Sequence, residues 1–129
     1  MADYVTDTQA LVKFTMGKKV INDKAHQAFL SADKGKNTII IPAVVLMEVL
    51  YLFEKHRIDI GLFQTEDLLK SQNYQFEPLS LDILKTASEI TDIPELHDRL
   101  IAATARYLDI PIITNDPVIR KSKFVKILE

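Results

Sequence analysis

Residues 96–116 read LHDRLIAATARYLDIPIITND, a helix pattern that runs straight into a strand pattern. Residues three and four apart share a helix face, so Asp98, Ile101, Ala105 and Leu108 form one stripe over a helix expected at His97–Leu108. The strand expected at Ile110–Thr114 is almost continuously apolar, as a parallel strand buried on both faces should be. Outward from this segment the alternation repeats. Strands are expected at Ala2–Thr6, at β-branched Thr38–Ile41 stopped by Pro42, at Tyr74–Pro78 and, last and short, at Val125–Leu128. Helices are expected at Thr8–Thr15, Val20–Asp33, Ala43–Lys55, Ile60–Ser71 and Leu81–Thr91. Ala43–Lys55 is apolar almost all round and reads as a buried helix. Ile60–Ser71 and Leu81–Thr91 follow closely enough to suggest a helical hairpin. Strands separated by helices imply right-handed crossovers, hence an α/β fold with a mainly parallel sheet covered on both faces. Ligands of such sheets bind outside the carboxyl ends of the strands.

The whole chain is 129 residues, the size of one domain, with 47% hydrophobic and 26% charged residues, enough to bury a core. It contains no cysteine, which excludes disulfides and thiolate chemistry and fits a reducing compartment. Its three histidines, His26, His56 and His97, lack the i, i+4 spacing of a zinc site. With three glycines it offers no glycine-rich phosphate cradle. A net charge of −2 and a pI near 5.9 argue against bulk electrostatic binding of nucleic acid. The opening MADYVTDTQALVKF lacks the pattern of a signal peptide. The apolar run Ile39–Phe53 is interrupted by Pro42 and Glu48 and falls short of the roughly 20 residues a membrane span needs. A cytoplasmic domain with no membrane contact is the expectation.

Four carboxylates stand out by position. Asp7 and Asp116 follow expected strands at their carboxyl ends, where each also suits a helix N-cap, Asp116 with Pro117 behind it. Glu48 interrupts an apolar helix with no basic residue within a turn, and Asp98 heads its inward stripe, where a site at the sheet end and first-turn dipole compensation are equal readings. Four converging carboxylates would repel one another and raise each other's pKa. A hard divalent cation, Mg²⁺ or Mn²⁺, resolves the conflict, and such ions support phosphodiester hydrolysis. Thr8 and Thr114 place hydroxyls beside the cluster, where they suit a ligating water or a phosphate.

These segments resemble the PIN-domain nucleases, and among them the VapC-like toxins of prokaryotic toxin–antitoxin pairs. VTDTQALV is similar to the family's first strand, ending in an Asp and a hydroxyl residue. IPAVVLMEVLYLF is similar to its strand and helix with an inward Glu, and LHDRLIAATARYLDIPIITND to the segment with its third and fourth acids. The resemblance covers essentially the whole chain. It implies an α/β/α sandwich, Asp7, Glu48, Asp98 and Asp116 as metal-binding catalytic acids, and Thr114 as their supporting hydroxyl. It further implies Mg²⁺ or Mn²⁺ dependence, endoribonuclease activity, a homodimer and a small VapB-like antitoxin partner. Two alternatives stand beside it. A haloacid dehalogenase-type phosphatase needs a second acid two residues after its nucleophile, where this chain has Gln9. A non-catalytic module, binding RNA or protein, would use the four acids only as caps.

Other residues carry weaker signals. Lysines 18 and 19, Lys34 with Lys36, and the tail Arg120, Lys121, Lys123 and Lys126 are the basic clusters, ordinarily solvated faces. If RNA binds, Arg120, Lys121 and Lys123 are the expected phosphate contacts, being close after Asp116. Arg99 and Arg106 are candidates to hold the acids in place, and His97 reads as a surface or capping residue. Tyr4, Tyr51, Phe53 and Tyr107 read as core rather than base-stacking platforms. Any exposed apolar side chains on the second and fourth helices would suit a dimer or antitoxin groove.

Overall fold

The computed structural model describes residues 2–18 and 22–128. Four parallel strands form the centre: β1 (Ala2–Thr6), β2 (Asn37–Pro42), β3 (Tyr74–Glu77) and β4 (Ile112–Ile113), in spatial order β3-β2-β1-β4. Val5 lies between Ile40 of β2 and Ile112 of β4 in the register. The chain moves outward from β1 through β2 to β3, then crosses back to the other side of β1 for β4. The order therefore reverses between β1 and β4, and a crevice opens there at the carboxyl edge.

Helices flank this sheet, as expected: α1 (Thr8–Thr15), α2 (Asp23–Asp33), α3 (Ala43–Glu54), α4 (Leu62–Leu69), α5 (Leu81–Glu89), α6 (Leu96–Leu108) and the short α7 (Pro117–Arg120). α2 and α3 pack on β2, and α6 packs on β1. The core joins Val5, Ile39, Ile41, Ile112 and Ile113 of the strands to Leu11, Phe29, Ile83 and Ile101 of the helices, all fully buried. Phe14 stacks on Phe29 at 4.7 Å between centroids. Side chains of Asp7, Asn22, Ser80, Glu95 and Asp116 accept first-turn backbone N–H groups, which explains where their helices begin. The expected start of α2 at Val20 lies outside the described residues.

The last strand is shorter than its sequence suggests, for a local reason. Asp109 turns left-handed (φ 56°), and the Ile110 N–H returns 3.1 Å to the Ala105 carbonyl to close the helix. Pro111 has no N–H, so β4 begins only at Ile112. The expected strand at Val125–Leu128 shrinks to a single parallel bridge, Ile112 to Ile127. Nor do Ile60–Ser71 and Leu81–Thr91 form a hairpin. β3 intervenes, α4 packs on α3 and β3, and α5 packs along α6.

α3 departs most from expectation. Only Val44, Val45 and Val49 are buried, while Met47, Leu50, Tyr51 and Phe53 stand exposed. Tyr107 is exposed too and Tyr4 half-buried, so the aromatic residues read as core are largely surface. Large exposed apolar side chains occur on α4 (Leu62, Phe63) as expected. Among the described residues α2 contributes none, and α3 takes its place. No helix among the described residues is long and apolar enough to cross a membrane.

Candidate metal centre at the carboxyl edge of the sheet

Topology brings the four singled-out acids to one edge. Asp7 follows β1 directly. α3 leaves the carboxyl end of β2 and carries Glu48 within its second turn. α6 runs back toward the start of β4, so its first turn, with Asp98, lies at the same edge. Asp116 follows β4 after two linking residues. All four line one cleft of about 770 Å³.

Each acid is held differently. Asp7 is only 8% exposed. Its Oδ1 accepts from the Ala10 N–H at 2.9 Å, and its Oδ2 accepts from the Thr114 hydroxyl at 2.5 Å. Asp7 is thus a cap and a cleft acid at once. Burial nevertheless pushes its carboxyl above the usual range. The two hydrogen bonds pull it down, and the charges of Asp116 and Glu48 add to the rise. Glu48, half-buried, accepts from the Thr8 hydroxyl at 2.6 Å. Asp116 Oδ1 caps α7 by accepting from the Val118 and Ile119 N–H groups. Asp98 is pushed up to about 6, by burial first and then by the charges of Asp116, Glu95, Glu48 and Asp7. No hydrogen bond from the described residues relieves it.

Thr8 and Thr114 therefore serve the acids themselves rather than a water or a phosphate. Thr114 also accepts from the Asp116 N–H at 3.0 Å, so one hydroxyl ties Asp7 to the Asp116 turn. Thr114→Val keeps the shape and removes both bonds inside a site that is 1% exposed. It is expected to cost about 1–3 kcal/mol in thermal or urea unfolding, with Thr114→Ser closer to the native protein. Equal stability of the valine variant would refute this role.

The donor set is entirely carboxylate oxygen, the chemistry a hard divalent cation prefers. Among the described residues no three His, Cys, Asp or Glu side chains close on a single point. The arrangement fits an ion such as Mg²⁺, which takes one or two carboxylates and keeps several waters.

Other expected roles move. Arg99 donates to the carbonyls of Ile93 and Pro94, and Arg106 to Glu89 and the Phe124 carbonyl, so neither holds the four acids. Each arginine instead closes a loop, which local sequence does not show. His97 is a half-exposed surface residue whose Nδ1 lies 3.1 Å from Glu95. Arg120 donates to the Thr114 carbonyl at 3.0 Å and braces the strand end. The Lys123 backbone N–H is bound by Asp92, and Lys121 is exposed. None of these three tail residues lines the cleft, whereas Lys13, Tyr51 and Met47 do. The sequence signal for Lys13 was its place one turn after Gln9 on the helix that Asp7 opens. For Tyr51 and Met47 it was their spacing of three and one from Glu48, hidden by the apolar run around them.

The profile of the PIN domain matches residues 4–125 of the chain. Solved structures agree in fold. The VapBC complex of Salmonella typhimurium bound to DNA superposes with a TM-score of 0.69 at 17% identity, over 99% of this chain and 98% of that one. VapC20 of Mycobacterium tuberculosis, described as a Sarcin-Ricin loop cleaving toxin, gives 0.69 at 17% identity over 98% and 99%. VapBC2 of Rickettsia felis, bound to a fragment of promoter DNA, gives 0.68 at 19% identity over 98% and 97%. Comparison with curated protein sequences gave no match.

Proposed function

The chain belongs to the PIN-domain family, whose members are nucleases, and from that premise we propose that it is a Mg²⁺- or Mn²⁺-dependent endoribonuclease acting as the toxin of a VapBC-type pair. The observation that carries the reading is the convergence of Asp7, Glu48, Asp98 and Asp116, from four separate elements, on one cleft at the switch point of the sheet. Burial first and mutual repulsion second raise the carboxyls of Asp7 and Asp98, and both disfavour the charged cluster unless a cation shares it.

One or two of the carboxylates of Asp7, Glu48, Asp98 and Asp116 would hold the ion directly, and the others would reach it through its waters. When bound, it supplies positive charge to phosphoryl oxygens and lowers the pKa of water. The chain's own groups do the rest. Thr114 and Thr8 fix the carboxylate orientations of Asp7 and Glu48, and Arg120 steadies Thr114 through its carbonyl. The acidic cleft repels a phosphodiester on its own, so substrate binding there would depend on the cation's charge. Exposed Leu50, Phe53, Leu62 and Phe63 supply apolar surface for a VapB-like antitoxin and for a second copy of the chain. Two neighbours by fold are toxin–antitoxin complexes, which supports such a partner.

The capping roles of Asp7 and Asp116 favour one rival, a non-catalytic module in which the acids only end helices. Incubation of the purified protein with total cellular RNA separates the two. Discrete fragments are expected with Mn²⁺ and none with chelator. Intact RNA together with no saturable Mn²⁺ binding would establish the module instead.

A further inference from the structure

We propose that Tyr51 is a stacking platform for an unpaired base next to the scissile phosphate, with Lys13 of the same cleft gripping the neighbouring phosphate. This rests on the nuclease reading above and adds a substrate requirement to it.

Three observations carry it. Tyr51 lies three residues after Glu48 on α3, hence on the same helix face and just under one turn, roughly 4.5 Å, along the axis. Tyr51 borders the cleft and is 54% exposed, so part of its ring is open to solvent beside the acids. The Lys55 ammonium sits 5.5 Å from the ring centroid. Lys55 does not line the cleft, so this cation braces the ring at the cleft's edge and adds positive charge where a strand would leave.

The cleft is chemically divided. The four acids share its lining with Met47, Tyr51 and Leu52, which lie on α3 next to Glu48 and add apolar surface. A sugar–phosphate backbone has no use for apolar surface, but a base has. Stacking on an exposed ring is sequence-tolerant and needs a base free of its own helix. Lys13, on α1 one turn beyond Gln9, is the sole lysine or arginine on the cleft wall among the described residues. In a chain of net charge −2, one lysine beside four acids is where a phosphate would be met.

The test starts with the cut sites that the wild-type protein makes in total RNA with Mn²⁺. An oligonucleotide spanning the main site is then assayed alone and annealed to its complement. The single strand is expected to be cleaved and the duplex spared. Tyr51→Ala and Tyr51→Leu are expected to raise KM about 5- to 100-fold with kcat within threefold, while Tyr51→Phe stays near wild type. Tyr51→Leu keeps apolar area without an aromatic face, so its loss marks stacking rather than burial. Lys13→Gln should raise KM and flatten its salt dependence. Equal cleavage of strand and duplex, or an unmoved KM in Tyr51→Ala, would overturn the platform while leaving the nuclease standing. No cleavage by the wild-type protein with either metal would overturn the nuclease reading, and the platform with it.

Discussion

Asp98→Asn is expected to lower metal-dependent RNA cleavage about a hundredfold or more while making the metal-free protein harder to unfold. The two effects have one cause. Burial and the charges of Asp116, Glu95, Glu48 and Asp7 push Asp98 up to about 6. A neutral amide of the same shape removes that repulsion. Asp98 is partly exposed, and solvent screens much of the penalty, so the gain is about 1 kcal/mol or less, a few degrees in Tm. Cleavage falls because an amide cannot match a carboxylate's charge toward a cation. Asp7→Asn should show the same pair of changes. Asn caps a helix as well as Asp does, so the bond from Ala10 survives, and its NH₂ can donate to the Thr114 hydroxyl.

The sign with pH follows. Folded Asp98 binds its proton more tightly than the unfolded chain does, so wild-type stability rises as pH falls through about 6. The Asn variant's advantage should therefore be present at pH 7.5 and shrink toward pH 5. Thermal unfolding at the two pH values checks this. A variant that cleaves like wild type, or that unfolds more easily at pH 7.5, would show that Asp98 is a structural cap. A loss of function that brings a gain in stability marks groups kept for chemistry at the expense of the fold.

The sheet and the four acids were legible in the sequence because both depend on local patterns. Continuous apolar strands report burial on two faces, and the element order then puts the carboxyl ends on one edge. Asp7 and Asp116 could be placed from strand ends alone. The surfaces were less legible. Hydrophobicity shows that a face avoids water, without saying whether its cover comes from the same chain. On α3 the run AVVLMEVLYLF looked like burial all round, yet only Val44, Val45 and Val49 meet the sheet side. Tyr51 was misread for that reason, and it proves to line the cleft. Arg99 and Arg106 were misassigned for another. A guanidinium on a long stem reaches many acceptors, and only the fold shows that the carbonyls of Ile93 and Phe124 lie nearest. Thr114 was found from its place before Asp116, but its bond to Asp7 spans 107 residues and belongs to the tertiary structure.

Mn²⁺ is expected to raise the melting temperature of the wild-type protein by about 10 °C at pH 7.5 when present at about one hundred times its Kd. Ligand at that excess stabilises the folded state by about 2.7 kcal/mol, and one kcal/mol moves Tm by a few degrees in a chain of this size. At pH 5 the same concentration should give about half the shift. Asp98 lies about one pH unit above its own solution at that point, so the ion must displace a proton, and its affinity falls about tenfold. Asp98→Asn removes the competing proton together with the ligand, so its shift should be small at both pH values. The comparison of pH values is what gives the experiment its force. An ion held by surface carboxylates of ordinary pKa would show the same shift at pH 7.5 and pH 5, and an equal shift in Asp98→Asn would put the ion outside the cleft. No saturable shift at either pH would leave Asp7 and Asp116 as helix caps, with Glu48 and Asp98 merely beside them. A shift that halves with the proton and collapses with the amide requires the ion to sit in the cleft whose burial and neighbouring charges raised Asp98.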